Sequence, residues 1–131
     1  MTADDARLRM PPPVAAPVPA GAGDADYQAV GLPATYGEVP PMVELWLSTG
    51  DRVGLPYAWL SEARFDPSAG VTLAFTTGVA VTVRGRNLGP VYAALVAHRA
   101  VYVREADPPT AELLGVGVPV VEAIRVDHSP R

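Results

Sequence analysis

Residues 71–95 read VTLAFTTGVAVTVRGRNLGPVYAAL, and two periodicities meet inside this stretch. Val71, Leu73 and Phe75 alternate with small or polar residues. Val79, Val81 and Val83 do the same, with Thr76-Thr77-Gly78 between the two runs. Period-two alternation around a Gly-containing turn predicts a β-hairpin with one buried face. From Leu88 the period changes. Leu88, Val91, Tyr92, Leu95 and Val96 fall at i, i+3, i+4, i+7 and i+8, the apolar stripe of a helix of about three turns. Asn87 or Gly89 is the expected cap, and Pro90 sits in the first turn, where a missing N–H costs little. Arg84-Gly85-Arg86-Asn87 then reads as a turn joining strand to helix, with Gly85 supplying the bend.

Toward the N-terminus, Val43, Leu45 and Leu47 share one strand face, and Val53, Leu55, Tyr57 and Trp59 share another. The Thr49-Gly50 turn between them predicts a second hairpin over 43–60. Pro56 cannot donate to a neighbouring strand, so it marks an edge or a bulge. Ala63 and Phe65 belong to a short strand ended by the turn residues Asp66-Pro67-Ser68-Ala69-Gly70. Beyond the helix, a last strand is expected from Ala100 to Arg104, and Asp107-Pro108-Pro109 closes the domain. The expected fold is therefore mainly β (α+β), a small antiparallel sheet or barrel in the order β-β-β-β-β-α-β over residues 43–105.

The flanks differ in composition. Residues 1–42 hold eight of the 15 prolines and an Ala/Gly-rich run over 14–25. Without periodic apolar residues such a segment cannot offset its ordering entropy, so it is expected to be a disordered, polyproline-like arm. Residues 106–131 are expected to be a tail carrying at most a further edge strand over 118–126. Roughly 65–85 residues are left to fold, near the lower limit for one hydrophobic core. Val30-Gly-Leu-Pro33 recurs as Val53-Gly-Leu-Pro56, a coincidence expected of a chain rich in these residues.

Composition excludes several chemistries. The chain of 131 residues has no cysteine, which removes disulfides, thiolate catalysis and Cys-based metal sites. All ten basic residues are arginine, so no lysine can form a Schiff base or hold a phosphate loop. No apolar run approaches the ~18 residues that span a bilayer, so no membrane association is expected. Asp4, Asp5 and the prolines at 11, 12, 13, 17 and 19 argue against a signal peptide, and the cytoplasm is the expected compartment.

Only two histidines, 98 and 128, are present, too few and too far apart in sequence for a metal-ligand set. His98 in the last helical turn suits the C-terminal dipole. Serines 48, 61, 68 and 129 lie beside turns, outside any nucleophile elbow. Glu62, Asp66 and Asp51 fit a solvated strand face better than a carboxylate pair for hydrolysis. No catalytic residue, cofactor or metal site is therefore assigned, and the chain is not expected to be an enzyme.

Two binding surfaces remain. Trp46 is out of phase with its strand's apolar face, where an exposed ring could stack a base or be covered by the arm, the tail or another subunit. Arg84 points outward and Arg86 stands by a helix N-terminus, so Arg84, Arg86 and Asn87, with Arg99 and Trp46, are candidate anion or nucleic-acid contacts. Val83-Arg84-Gly85 and Leu45-Trp-Leu-Ser-Thr-Gly-Asp-Arg-Val53 resemble the two motifs of Sm-like RNA-binding domains, which implies RNA contact at the Arg84-Gly85-Arg86 turn. A helix follows Gly85 where that family has its last strand, and the family's Asp-to-Asn base-binding segment is missing. The strand-then-helix ending is similar to pleckstrin-homology-like barrels, without a specific motif. Ala93, Ala94 and Ala97 on the helix form a candidate partner-packing face. With the net charge at −4, the expected role is a non-catalytic protein-interaction or assembly module with a protein partner or a second copy, nucleic-acid or anion binding being the alternative.

Overall fold

A computed structural model describes residues 24–35 and 37–128. Among the described residues eight strands run in chain order: β1 (Val30–Gly31), β2 (Met42–Trp46), β3 (Arg52–Pro56), β4 (Leu60–Asp66), β5 (Gly70–Phe75), β6 (Val79–Arg86), β7 (Tyr102–Arg104) and β8 (Val120–His128). Helix α1 (Gly89–Val96) lies between β6 and β7, and helix α2 (Pro108–Leu113) between β7 and β8. The stretch from β2 to β7 follows the expected β-β-β-β-β-α-β order, and both expected hairpins form. β2 pairs with β3 from Met42–Pro56 to Trp46–Arg52, and β5 pairs with β6 from Val71–Val83 to Ala74–Ala80.

The strands form two four-stranded sheets, ordered β1-β7-β2-β3 and β4-β5-β6-β8. Pairing is antiparallel except between β2 and β7, which run parallel. The sheets are joined at several points. The chain passes from β3 to β4 through a 3₁₀ turn at Tyr57–Trp59, and Glu105 bridges to Val121 of β8. Between them lies one core, built from Val43, Leu45, Val71, Leu73, Val81, Val83, Val91, Leu95, Val103, Val120 and Val121, all fully buried. Each such side chain contributes about 1.5–3 kcal/mol relative to exposure. Pro56 sits on the edge strand of its sheet, where its missing N–H is tolerated.

Other expectations need correction. The folded part reaches past 43–105 on both sides. Of the expected arm, residues 1–23 lie outside the described residues, but Tyr27 and Ala29 are buried in the core and β1 pairs with β7. On the C-terminal side, β8 runs the whole length of β6 from Val79–His128 to Arg86–Val120, so the edge strand expected over 118–126 is nine residues long and carries core residues. The two Val-Gly-Leu-Pro segments contribute to β1 and β3, at opposite edges of one sheet. Trp59 leaves the inward phase of Val53, Leu55 and Tyr57 because the 3₁₀ turn interrupts the alternation; it is 49% exposed. Asp107-Pro108-Pro109 begins α2 rather than ending the domain. Asp107 accepts the Thr110 N–H at 3.0 Å, and prolines occupy the first helical positions. Among the described residues no helix is long and apolar enough to cross a membrane.

Candidate functional site

The Arg84-Gly85-Arg86 segment is strand, not turn: β6 continues to Arg86. Gly85 is needed for another reason. A bulge interrupts the β6–β8 register between Arg84 and Gly85, and a Cβ on Gly85 would lie 2.0 Å from the Val120 carbonyl oxygen. The turn comes one residue later, at Asn87, whose φ of 57° is left-handed. Asn87 does not cap α1 either; the N-cap position is Leu88, without a side-chain bond, and the Asn87 amide donates to Val118 O at 3.0 Å. A short polar side chain tolerates the left-handed conformation and ties the turn to the segment before β8.

Arg84 and Arg86 share strand β6 but have different neighbours, and Arg99 and Trp46 lie outside that strand. Arg84 is exposed beside Thr82, Ala123, Arg125 and Asp127 on the outer face of its sheet. Arg86 is committed elsewhere: it pairs with Glu122 at 3.1 Å and donates to Ala111 O of α2 at 2.8 Å. Arg99 follows α1 at its C-terminal end, where its backbone N–H returns to Ala94 O. Trp46 belongs to the other sheet. Its ring stacks on Tyr102 at 4.0 Å, with the Arg52 guanidinium 4.0 Å from the ring centroid and its indole N–H donating to Glu44. The cover over Trp46 thus comes from neighbouring strands of its own sheet. Tyr102 can lie flat there because Gly31 leaves room; a Cβ at position 31 would sit 2.0 Å from the tyrosine ring.

The carboxylates singled out from the sequence have local tasks. Glu62 pairs with Arg64, Asp51 bonds Thr49, and Asp66 accepts from both the N–H and hydroxyl of Ser68. The Ser68 backbone N–H, foremost, holds the Asp66 carboxyl below its ordinary value. Ser61 donates to Ala74 O, and Ser48 donates its N–H to Glu105, leaving both within structural contacts. Among the described residues no group of three or more His, Asp or Glu could hold a metal ion.

Helix α1 shows a different exposed face from the expected one. Ala94 is buried with Val91 and Leu95. Ala93, Val96 and Ala97 are exposed, at i, i+3 and i+4, with Val96 49% accessible. Two ring pairs set this rotation. Tyr92 stacks on Phe65 of β4 at 5.5 Å, and His98, left-handed at φ 59° just past the helix, stacks on Tyr57 at 4.5 Å. Tyr57 is itself buried, donates to Ala100 O at 2.7 Å, and is pushed above its ordinary pKa by that burial. These anchors lay α1 along the chain from Tyr57 to Asp66. The partly exposed Phe65 ring, stacked on Tyr92, therefore borders the helix.

Sequence reading missed Val96, Trp59 and Phe65 as surface residues. The Pro56-Tyr57 step offered a signal, since the proline marks where regular pairing stops. The chain matches no family model, no curated protein and no solved structure. The reading of function therefore draws on geometry alone.

Proposed function

We propose that the chain is a non-catalytic protein-interaction module, and that its docking face is the open side of α1: Ala93, Val96 and Ala97, bordered by Phe65. The observation that carries this reading is the exposed row of small and branched apolar residues at i, i+3 and i+4 on α1, beside the Phe65 ring that stacks on Tyr92. Small residues admit close approach of a partner's backbone, and an exposed apolar patch that includes an aromatic ring marks an interaction surface. The occupant is a partner protein presenting a complementary apolar ridge, in the cytoplasm.

Nucleic-acid or anion binding gains no comparable support. Arg64, Arg86, Arg104 and Arg125 each face a carboxylate within the chain, and Arg52 lies on Trp46. The test is site-specific photo-cross-linking in the native host, with a benzophenone amino acid at position 96 and, as control, at exposed position 64. Discrete protein adducts from position 96 but not 64 are expected. Equal or absent adducts at both would overturn the reading.

A further inference from the structure

The two halves of β8 differ in what lies along their outer edge. In the first half the edge is occupied: Val121 donates its N–H to the Tyr27 hydroxyl and accepts from Ala106 N, and Ile124 donates to Glu105 Oε2. From Arg125 to His128 no strand of the described chain pairs on that side. The opposite edge of the same sheet, β4, packs against α1.

The direction of the free groups follows from Ile124. Its N–H points away from β6, and the β6–β8 register is unbroken from Arg84–Ala123 to Val79–His128. Antiparallel strands alternate the direction of their bonding groups, so the N–H and C=O of Val126 and His128 also point to the open edge. Arg125 and Asp127 alternate with them and stand on the outer face, paired with each other at 3.0 Å and exposed.

We infer that two copies of the chain join through β8 as an antiparallel, two-fold pair with its axis at Val126, making one eight-stranded sheet. Outward-pointing residues must meet outward-pointing residues, which leaves few symmetric registers. An axis at Arg125 sets that cation against itself. An axis at Asp127 sets two carboxylates face to face. An axis at His128 needs an N–H from Pro130, which has none. With the axis at Val126, Arg125 faces Asp127 of the second copy on both sides of the axis. The two Val126 residues exchange both backbone bonds, and the pairing ends there because Glu105 already holds the Ile124 N–H in each chain. The half-buried Val126 side chains meet across the axis on the core side. Such pairing also removes an open strand edge, a template for uncontrolled association.

This dimer uses a surface separate from α1 and goes beyond the docking reading above. Sedimentation velocity across a concentration series, on the full chain, is the test. Arg125→Asp and Asp127→Arg, each creating like-charge pairs, should raise the dimer dissociation constant by about tenfold. The double swap should return it to near the wild-type value. Because the chain has no cysteine, Ala123→Cys accepts a single spin label. Six residues of antiparallel offset put the two labels' backbones about 20 Å apart along the strands. A monomer at every concentration, a dimer indifferent to the swaps, or a label separation incompatible with this register would overturn the inference. None of those outcomes touches the cross-linking test at position 96.

Discussion

Glu105 ties the two sheets together through Ile124: its Oε2 accepts the Ile124 N–H at 3.0 Å. Its Oε1 accepts the Ser48 N–H of the β2–β3 turn at 2.7 Å, and its backbone N–H donates to Trp46 O. One side chain thus satisfies a donor from each sheet where β7 ends. Glu105→Ala leaves both donors without a protein partner and should cost about 1–3 kcal/mol, measured as a lower urea midpoint at unchanged slope. Glu105→Gln keeps one acceptor oxygen and should fall between the alanine variant and the wild type.

Tyr27 plays a parallel role from the N-terminal side. Its hydroxyl donates to Arg104 O at 2.7 Å and accepts from Val121 N at 2.9 Å. Tyr27→Phe should destabilise by about 1–2 kcal/mol, because the Val121 N–H loses its acceptor. Burial also pushes the Tyr27 phenol up to about 12 from 10.0. The folded state therefore holds this proton where the unfolded chain releases it. That contribution is complete below pH 10 and is lost as pH rises toward 12. Urea midpoints measured through this window should fall less steeply in Tyr27→Phe than in wild type, with the remaining slope assigned to Tyr57.

Asp24 and Arg104 form an ion pair at 2.7 Å, with about a quarter to a third of each side chain accessible. The Arg104 hydrogen bond, foremost, holds the Asp24 carboxyl below its ordinary 3.8. Its stabilisation is present above pH 3.8 and lost as pH falls through the lower folded value. Asp24→Asn should cost under about 1 kcal/mol at neutral pH, less in high salt, and should flatten the acid limb of the stability profile.

Three glycines separate steric from conformational requirements. Gly85→Ala places a Cβ against the Val120 carbonyl and should cost about 2–3 kcal/mol. Gly50 has φ of 100° with open space around it, so Gly50→Ala should cost about 1 kcal/mol from backbone strain alone. Gly89 opens α1, and a Cβ there would meet nothing within 4 Å, so Gly89→Ala should stabilise by about 0.5 kcal/mol. Thermal midpoints of the three variants, in that order, check the ranking.

Local periodicity was enough for the two hairpins, the Pro56 edge, the helix over 88–96 and the strand order from Met42 to Arg104. Those features depend on side-chain spacing within one or two elements, which the chain carries in itself. Asp107 followed by two prolines also held a legible helix start, although the same residues serve equally well as a stop. The phase of α1 was different. Whether Ala94 or Val96 faces inward turns on the Tyr92–Phe65 and His98–Tyr57 stacks, contacts made 27 and 41 residues apart in sequence. The parallel pairing of β2 with β7, the partners of Arg86 and the close approach at Gly85 likewise exist only once distant strands meet. So does the free half-edge of β8, which is open because Tyr27 and Glu105 occupy the other half. The sequence by itself determined which segments could bury a face; the tertiary structure decided which neighbour each face and edge met, because those choices are set by contacts between residues far apart along the chain.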